Sequence, residues 1–530
     1  MIHPARSYSG MVVAPHRLAA QAGSRVLREG GNAIEAMIAA ASTIAVVYPH
    51  MNSLGGDNFW LLHTPGEVPT GIDACGAAAS AATIDAYRSK GFDAIPGRGP
   101  DAALTVAGAL SGWEAARQFS EKKYSGKLPL SRLLEDAIYH ACEGIAAPQT
   151  LAANIAGKLP ELENQPGFSD AFLCDGIPCK AGDRFAQPKI GDTLSQLVSA
   201  GLDDYYRGDI ANSIAKDLDL AGSPIRKDDL EAHQALMVDP LSLRIGGHQL
   251  YNMPPPTQGL ASLMLLGIFE KLDITEVDNF DYIHGLIEST KQAFLIRDSE
   301  VSDPAYMNIA ATDFLTDKVL SSLAARVDPA RAAPWPQAAA GGDTVWLGAI
   351  DKQGRAVSFI QSIYWEFGSG VVLPETGIVW QNRGTSFSLD PNHHNCLKPG
   401  RRPFHTIQPA LAHLDDGRVM PYGTMGGEGQ PQTQAMLFSR YVFGGQDLQR
   451  AVTAPRWLLG RTWGSDITNL RIENRFHDEV YASLKKAGHD VEVIGDFDEV
   501  MGHAGALVLH PSGLIEGASD PRSDGAAVGV

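Results

Sequence analysis

The residues best placed to do chemistry are Gly341-Gly342-Asp343-Thr344. A threonine hydroxyl is a poor nucleophile unless a base sits beside it. If the chain is cut before Thr344, the α-amine freed on that residue is such a base. An α-amine titrates near ~8, so a useful fraction is unprotonated at neutral pH. Amine and hydroxyl share one residue, and no distant histidine is needed. The arrangement demands an exposed linker followed at once by a strand that begins with the nucleophile. Arg331 to Gly342, rich in Ala, Pro and Gly, reads as that linker. Thr344 to Ile350 and Ala356 to Ile363 are β-prone runs on either side of the turn Asp351-Lys352-Gln353-Gly354, the pattern of a hairpin.

Other routes to catalysis are missing. There is no Gly-x-Ser-x-Gly, no His-Glu-x-x-His, no phosphate-binding Gly-x-x-x-x-Gly-Lys-Ser/Thr and no dinucleotide fingerprint. His393-His394 with Cys396 reads as a polar loop rather than a zinc site, because adjacent histidines do not easily share one metal. Gly423-Thr424-Met425-Gly426-Gly427-Glu428-Gly429 lacks the lysine of a phosphate cradle and by itself reads as a tight turn. No metal or cofactor is expected.

The elements around these residues follow from periodicity and punctuation. Pro15 to Glu29 is helical and ends at Gly30-Gly31. Asn32-Ala33-Ile34-Glu35 has the form of a capping box opening a small-residue helix, Ala33 to Val47, that Pro49 stops. Gly55-Gly56 leads into a strand, Phe59 to Leu62, and a Gly- and Pro-rich loop runs from Gly91 to Pro100. Ser111 to Phe119, Leu130 to Glu143, Leu260 to Leu272 and Asp281 to Arg297 read as further helices, with a rigid turn at Pro254-Pro255-Pro256. Beyond the hairpin come strand-like runs at Val371-Val372, Gly377 to Trp380 and Ala504 to His510.

Composition limits the partners. The 530 residues carry 61 acidic and 43 basic side chains, a net charge of −18. That balance argues against nucleic acid and anionic membranes, which need basic surface. It still permits a small anionic substrate held by one buried arginine. The five cysteines, Cys75, Cys142, Cys174, Cys179 and Cys396, are sparse and odd in number. They suggest a reduced compartment, with Cys174 and Cys179 as free buried thiols rather than a bridge. The first residues lack the apolar core of a signal peptide, and the longest uncharged apolar run, between Glu35 and Pro49, is 13 residues, too short to span a bilayer. The expectation is a cytoplasmic protein.

Several motifs, in order, carry a family resemblance. They are Gly10-Met11-Val12-Val13-Ala14-Pro15-His16, Gly30-Gly31-Asn32-Ala33-Ile34-Glu35-Ala36, and Pro49-His50 with Gly55-Gly56. Phe367-Gly368-Ser369-Gly370, Pro399-Gly400-Arg401-Arg402-Pro403, Asp520-Pro521-Arg522 and Asp524 to Gly529 follow. The sequence resembles the γ-glutamyltranspeptidase family of N-terminal-nucleophile hydrolases over nearly its whole length. The resemblance implies an α+β fold, a four-layer αββα sandwich, and self-cleavage at Asp343–Thr344. The products would be a large chain, 1–343, and a small chain, 344–530, forming a heterodimer and one compact catalytic unit. It leaves any further dimerisation open. Thr344 takes the nucleophile position, seven residues before Asp351. By the same resemblance Gly426 and Gly427 supply the oxyanion hole. Ser362 is the hydroxyl that contacts the nucleophile, or an ordinary polar strand residue, and Asn382 is a structural hydrogen-bonder.

The departures bear on substrate. The family's γ-glutamyl enzymes hold the glutamyl α-carboxylate with an arginine after an Ala-Thr pair, but Ala82-Thr83 is followed by Ile84. They hold the α-amino group with an aspartate before a Phe-Ser pair, but Ser386 precedes Phe387-Ser388. His405-Thr406 replaces a serine pair, and Tyr364 stands where the family has asparagine. An ammonium buried without a carboxylate is costly. The chain thus resembles a branch lacking γ-glutamyl recognition. That branch implies a self-processing amidohydrolase acting on a small carboxylate-bearing amide, oxamate to oxalate and ammonia, in uric acid and oxalurate breakdown. Arg383, or His405 if protonated, would hold the carboxylate, with Thr406 and Tyr364 lining the substrate site; Arg383 as a core ion pair and His405 as a neutral packing histidine remain open. The alternatives are a γ-glutamyl hydrolase or transferase on glutathione-like substrates, an acylase on bulkier amides, and a non-catalytic relative that keeps the fold.

Overall fold

The structure is a computed structural model that describes residues 3–335, 343–460 and 468–530. Of the linker read at 331–342, residues 336–342 lie outside the described residues.

Two seven-stranded sheets form the centre. One runs in the order Ala5–Ser7, Ile515–Ser519, Ala504–Leu509, Val419–Thr424, Ala410–His413, His248–Asn252, Leu241–Ile245. The other runs Ala526–Gly529, Gly10–Ala14, Asp343–Asp351, Ala356–Tyr364, Asp57–His63, Thr70–Ala74, Leu236–Val238. Each sheet draws strands from both sides of residue 343. Between the sheets, alternate side chains of facing strands interdigitate as an apolar layer that includes Met11, Val13, Phe59, Trp346, Ile360, Leu411 and Leu507. Helices cover both outer faces. Ala33–Val47 and its neighbours share a core with the second sheet, while Gly259–Glu270 and Phe280–Glu300 share one with the first. The architecture is α+β, layered helix–sheet–sheet–helix.

The helix Ala33–Val47 starts at the expected capping box, with Asn32 Oδ1 accepting from Ile34 and Glu35 amides and Glu35 returning to Asn32 N–H. It is buried on every side, which its small residues allow. The hairpin Asp343–Asp351 and Ala356–Tyr364 is also as expected. No helix among the described residues is long and apolar enough to cross a membrane.

Three expectations are corrected. Leu130 to Glu143 is two helices, Leu130–Leu133 and Glu135–Glu143, meeting at Leu134. Leu133 and Leu134 are both fully buried, and consecutive positions of one regular helix point in different directions. Val371-Val372 and Gly377 to Trp380 form no strand and contribute only the isolated bridges Val372–Val379 and Gly55–Trp380; Val372 N–H turns away to the Pro166 carbonyl. Cys174 and Cys179 are joined by a disulfide, with Cα atoms 5.4 Å apart. The turn Asp175-Gly176, both with positive φ, folds Leu173–Cys174 onto Ile177–Pro178 and brings the thiols together.

Candidate active site

Thr344 lies near the start of a central strand and is fully buried. Asp343 pairs with Tyr364 and Val345 with Gln361, so Ser362 and Ile363 together oppose Thr344. Such a bulge leaves the lone residue outside the regular ladder and free to be aimed. Thr344 Oγ1 accepts from Gln430 Nε2 at 3.2 Å. Gln430 is the second residue of the helix Gly429–Phe438, whose amino end carries the positive end of its dipole.

Gly426 and Gly427 lead into that helix through its N-cap residue Glu428. Their φ values are +112° and +51°, which glycine adopts without strain. Their carbonyls accept from Gly429 and Gln430 amides, so the turn is wound into the helix start. Neither amide of Gly426 nor of Gly427 donates a hydrogen bond among the described residues. Two free N–H groups ahead of a helix, four and three residues before the one that touches Thr344, can stabilise a developing oxyanion.

A second arm reaches the turn from below. Gln258 Nε2 donates to the Gly427 carbonyl at 2.7 Å and to the Thr406 carbonyl at 2.5 Å. Gln258 Oε1 accepts from Arg297, which is also paired with buried Glu428 at 3.1 Å. Sequence reasoning missed Gln258, Arg297 and Gln430; a lone glutamine carries no local signal.

Beside Ser362 lies a buried cation. Arg383 is 1% exposed and donates to Thr406 Oγ1 at 3.1 Å and to Ser362 Oγ at 3.4 Å. Its guanidinium lies 3.9 Å from the ring centre of Tyr364. Among the described residues no carboxylate lies within ion-pair distance, and its Nε has no hydrogen-bond partner. Burial pulls its pKa down to about 10, which leaves it charged at neutral pH. The bland alternative, a core ion pair, is not what the structure shows. Tyr364 is held at φ +82°, costly for an aromatic residue, and its hydroxyl is unpartnered.

His405 is fully buried, and burial followed by repulsion from Arg383 and Arg402 pushes its pKa well below the ordinary value. It is therefore neutral, which corrects the option of a protonated anchor. Its ring sits edge-on to Phe59, and neither ring nitrogen has a hydrogen-bond partner. Its Nε2 is 3.5 Å from Asp57 Oδ2. Asp57 pairs in register with Ser362 on the neighbouring strand, and its Oδ1 accepts from Gly76 and Gly108 amides at 3.0 and 2.9 Å. The sequence reading passed over Asp57, although it directly follows Gly55-Gly56.

Other positions play supporting parts. Asn382 bonds Trp365 N–H and the Gly97 carbonyl, a structural role as expected. Ile84 packs into the helical layer behind the sheet, and Thr83 caps its short helix. The departure read there is a helix cap. Arg401 bonds the Cys396 and His394 carbonyls, so the His393-His394-Cys396 segment is a loop wrapped on an arginine. Arg402 instead pairs with Asp73 and Asp303. His284, Glu288 and His489 form the one cluster of metal-type donors among the described residues. Their atoms are already engaged: His284 with His489 and the Asp328 carbonyl, Glu288 with Lys291 and Ala333 N–H.

The model of the gamma-glutamyltranspeptidase family matches residues 19–530. The chain belongs to the gamma-glutamyltranspeptidase family. It is 54% identical over 523 residues to the oxamate amidohydrolase proenzyme of Klebsiella pneumoniae subsp. pneumoniae, covering 99% of each chain. It is 41% identical to the glutathione hydrolase-like YwrD proenzyme of Bacillus subtilis, covering 98% of each. Among solved structures, cephalosporin acylase from Bacillus halodurans overlays with a TM-score of 0.92 at 32% identity, over 100% of this chain and 97% of that one. As a member of the gamma-glutamyltranspeptidase family the chain is an enzyme, an amidohydrolase of the N-terminal-nucleophile class.

Proposed function

We propose that this enzyme cuts itself between Asp343 and Thr344 and then hydrolyses oxamate to oxalate and ammonia, as a step of uric acid and oxalurate breakdown. The freed α-amine takes the proton of Thr344 Oγ1 as the oxygen attacks the amide carbonyl. The oxyanion forms against the amides of Gly426 and Gly427. Collapse expels ammonia, which takes the proton back from the α-ammonium, and leaves an ester on Thr344. Water, deprotonated by the same amine, opens the ester and releases oxalate.

The observation that carries the substrate class is Arg383, a buried and unpaired cation in contact with Ser362, the residue opposite Thr344. A substrate carboxylate is the charge it lacks. The two chains, 1–343 and 344–530, remain one heterodimer. We place the enzyme in the cytoplasm on the strength of its free thiols Cys75, Cys142 and Cys396; the Cys174–Cys179 disulfide weighs against this, and thiol counting by mass spectrometry of native protein tests it.

One observation favours the γ-glutamyl alternative. Asp57 near Arg383 would hold an ammonium if it were ionised, and a glutamyl group carries both charges. Comparing kcat/KM for oxamate, for γ-glutamyl-p-nitroanilide and for a cephalosporin side-chain amide decides between the readings. A better rate with the glutamyl compound overturns the oxamate assignment.

A further inference from the structure

Arg383 is the one charge in this cluster that the protein does not balance at ion-pair distance. Around it are orphans: Asp57 Oδ2, both His405 ring nitrogens and the Tyr364 hydroxyl lack hydrogen-bond partners, and every one of these residues is buried. Buried polar groups are normally satisfied, so four unpartnered atoms in the neighbourhood of one guanidinium without an ion pair call for a polar partner that the protein does not supply. Asp57 is fixed in place, because two backbone N–H groups grip Oδ1 while Oδ2 faces His405.

We propose that Asp57 acts as a second specificity determinant: in its carboxylic-acid form it lets this cluster accept a small monoanion, so that the substrate carboxylate enters together with one proton. This rests on the reading of Arg383 as the carboxylate anchor. The argument is one of charge. Arg383 and a substrate carboxylate sum to zero if Asp57 is neutral. If Asp57 were ionised, two carboxylates would share one cation inside a site that water does not reach, and like charges in such a place force one of them to take a proton. The groups facing Asp57 agree. His405 is neutral, Cys75 is held as a thiol with its pKa pushed well up by burial, and Tyr205 and Tyr206 are phenols whose hydroxyls go to the Leu54 and Ala107 carbonyls. Burial raises Asp57 to about 7 against the opposing pull of the Gly108 and Gly76 amides, then of Arg383 and Gln381.

The consequence is a pH dependence of opposite sign for two kinds of substrate. A monoanion such as oxamate loses its place as Asp57 ionises above pH 7. A zwitterion such as a γ-glutamyl group gains one, because its ammonium pairs with the ionised Asp57. The test compares the wild type with Asp57→Asn, whose amide keeps a donor that cannot titrate. Because the Thr344 amine titrates in both proteins, the ratio of kcat/KM values for oxamate, variant over wild type, isolates Asp57. With its pKa at about 7, that ratio is expected to rise by roughly a hundredfold between pH 6 and pH 9. A ratio that stays flat, or falls, overturns the proposal. Inhibition by glycolate, a small monoanion with no amide, gives a reading that needs no turnover of oxamate. Calorimetry at pH 8 in buffers of different ionisation enthalpy should show about one proton taken up per glycolate bound by the wild type and less by Asp57→Asn; equal uptake overturns it. If the enzyme does not turn over oxamate yet glycolate binding takes up its proton, the oxamate reading fails and the role of Asp57 stands. Self-cleavage of the variant on a denaturing gel shows that it has folded.

Discussion

Gln430 Nε2 and Thr344 Oγ1 are 3.2 Å apart, and this contact joins the nucleophile to the helix that the oxyanion turn leads into. The same side chain accepts from Gln408 N–H, so its position is set from two directions. Losing a neutral hydrogen bond costs about 0.5–1.5 kcal/mol, or roughly 2- to 12-fold in rate. Gln430→Ala is therefore expected to lower kcat by that factor with little change in KM, measured on protein that has fully matured. A loss seen only in KM would place Gln430 in substrate binding instead.

Maturation is expected to yield pieces of 343 and 187 residues, about 37 and 20 kDa by their share of the 56.6 kDa chain. Denaturing electrophoresis with amino-terminal sequencing of the smaller piece should read Thr344 first. Thr344→Ala is expected to stay at full length and to show no turnover, since one hydroxyl serves both steps. An active enzyme of a single intact chain would refute the scheme.

Backbone donors survive side-chain truncation, so the oxyanion turn must be perturbed sterically. Gly427 has φ +51° and Gly426 φ +112°, and a β-branched residue is strained at either. Gly427→Val is expected to misaim an N–H and reduce kcat about 10²- to 10³-fold. Unchanged kcat would move the oxyanion hole elsewhere.

Arg383→Ala is expected to lower kcat/KM for oxamate about 10- to 150-fold, the range for a charge-assisted contact of roughly 1.5–3 kcal/mol. Self-cleavage should continue, because no substrate carboxylate takes part in it. If oxamate turnover is unaffected, the anchor is another residue.

Acid should destabilise the fold early. His503 is buried, and desolvation drives its pKa down to about 4 from the ordinary 6.5. As pH falls below 6.5 the unfolded chain binds a proton that the folded chain refuses. Stability is lost between pH 6.5 and 4, at about 1.4 kcal/mol per pH unit for this one group. Urea unfolding from pH 7.5 to 4.5 should show stability falling with pH, with other buried histidines such as His16, His233 and His489 adding to the slope, and His503→Gln should make it shallower by about one proton. The slope is the readout, since the substitution also alters absolute stability.

What was legible in the sequence was local. The capping box at Asn32, the helix to Val47 and the hairpin around Asp351 are written in neighbouring residues, and they stand where they were read. Thr344 was singled out because a linker and a strand meet there and because it falls at the nucleophile position of the resembled family. What escaped depends on residues distant in sequence. Asp57 matters because Ser362 lies across the sheet from it, and Gln258 because its amide reaches both Thr406 and Gly427. Periodicity cannot show such meetings. The disulfide was misjudged for another reason: composition argued for free thiols, while the Asp-Gly turn between the two cysteines, a hairpin signal in its own right, was given no weight.

The mixing of strands from both sides of residue 343 gives the self-cutting step a direction. Asp343–Asp351 lies between Gly10–Ala14 and Ala356–Tyr364, and His248–Asn252 lies against Ala410–His413. If the cut falls after Asp343 as proposed, neither piece holds a complete sheet, and neither has a native shape to return to alone. An intact precursor folds as a first-order process, whatever its concentration. Once severed and denatured, the same atoms must find each other by collision, and recovery becomes second-order. Dilution should leave the mature enzyme assembled, yet after denaturation the yield of refolding should fall with concentration. The molecule is thus formed once, as a single strand of chain, and its working form keeps a memory of that history.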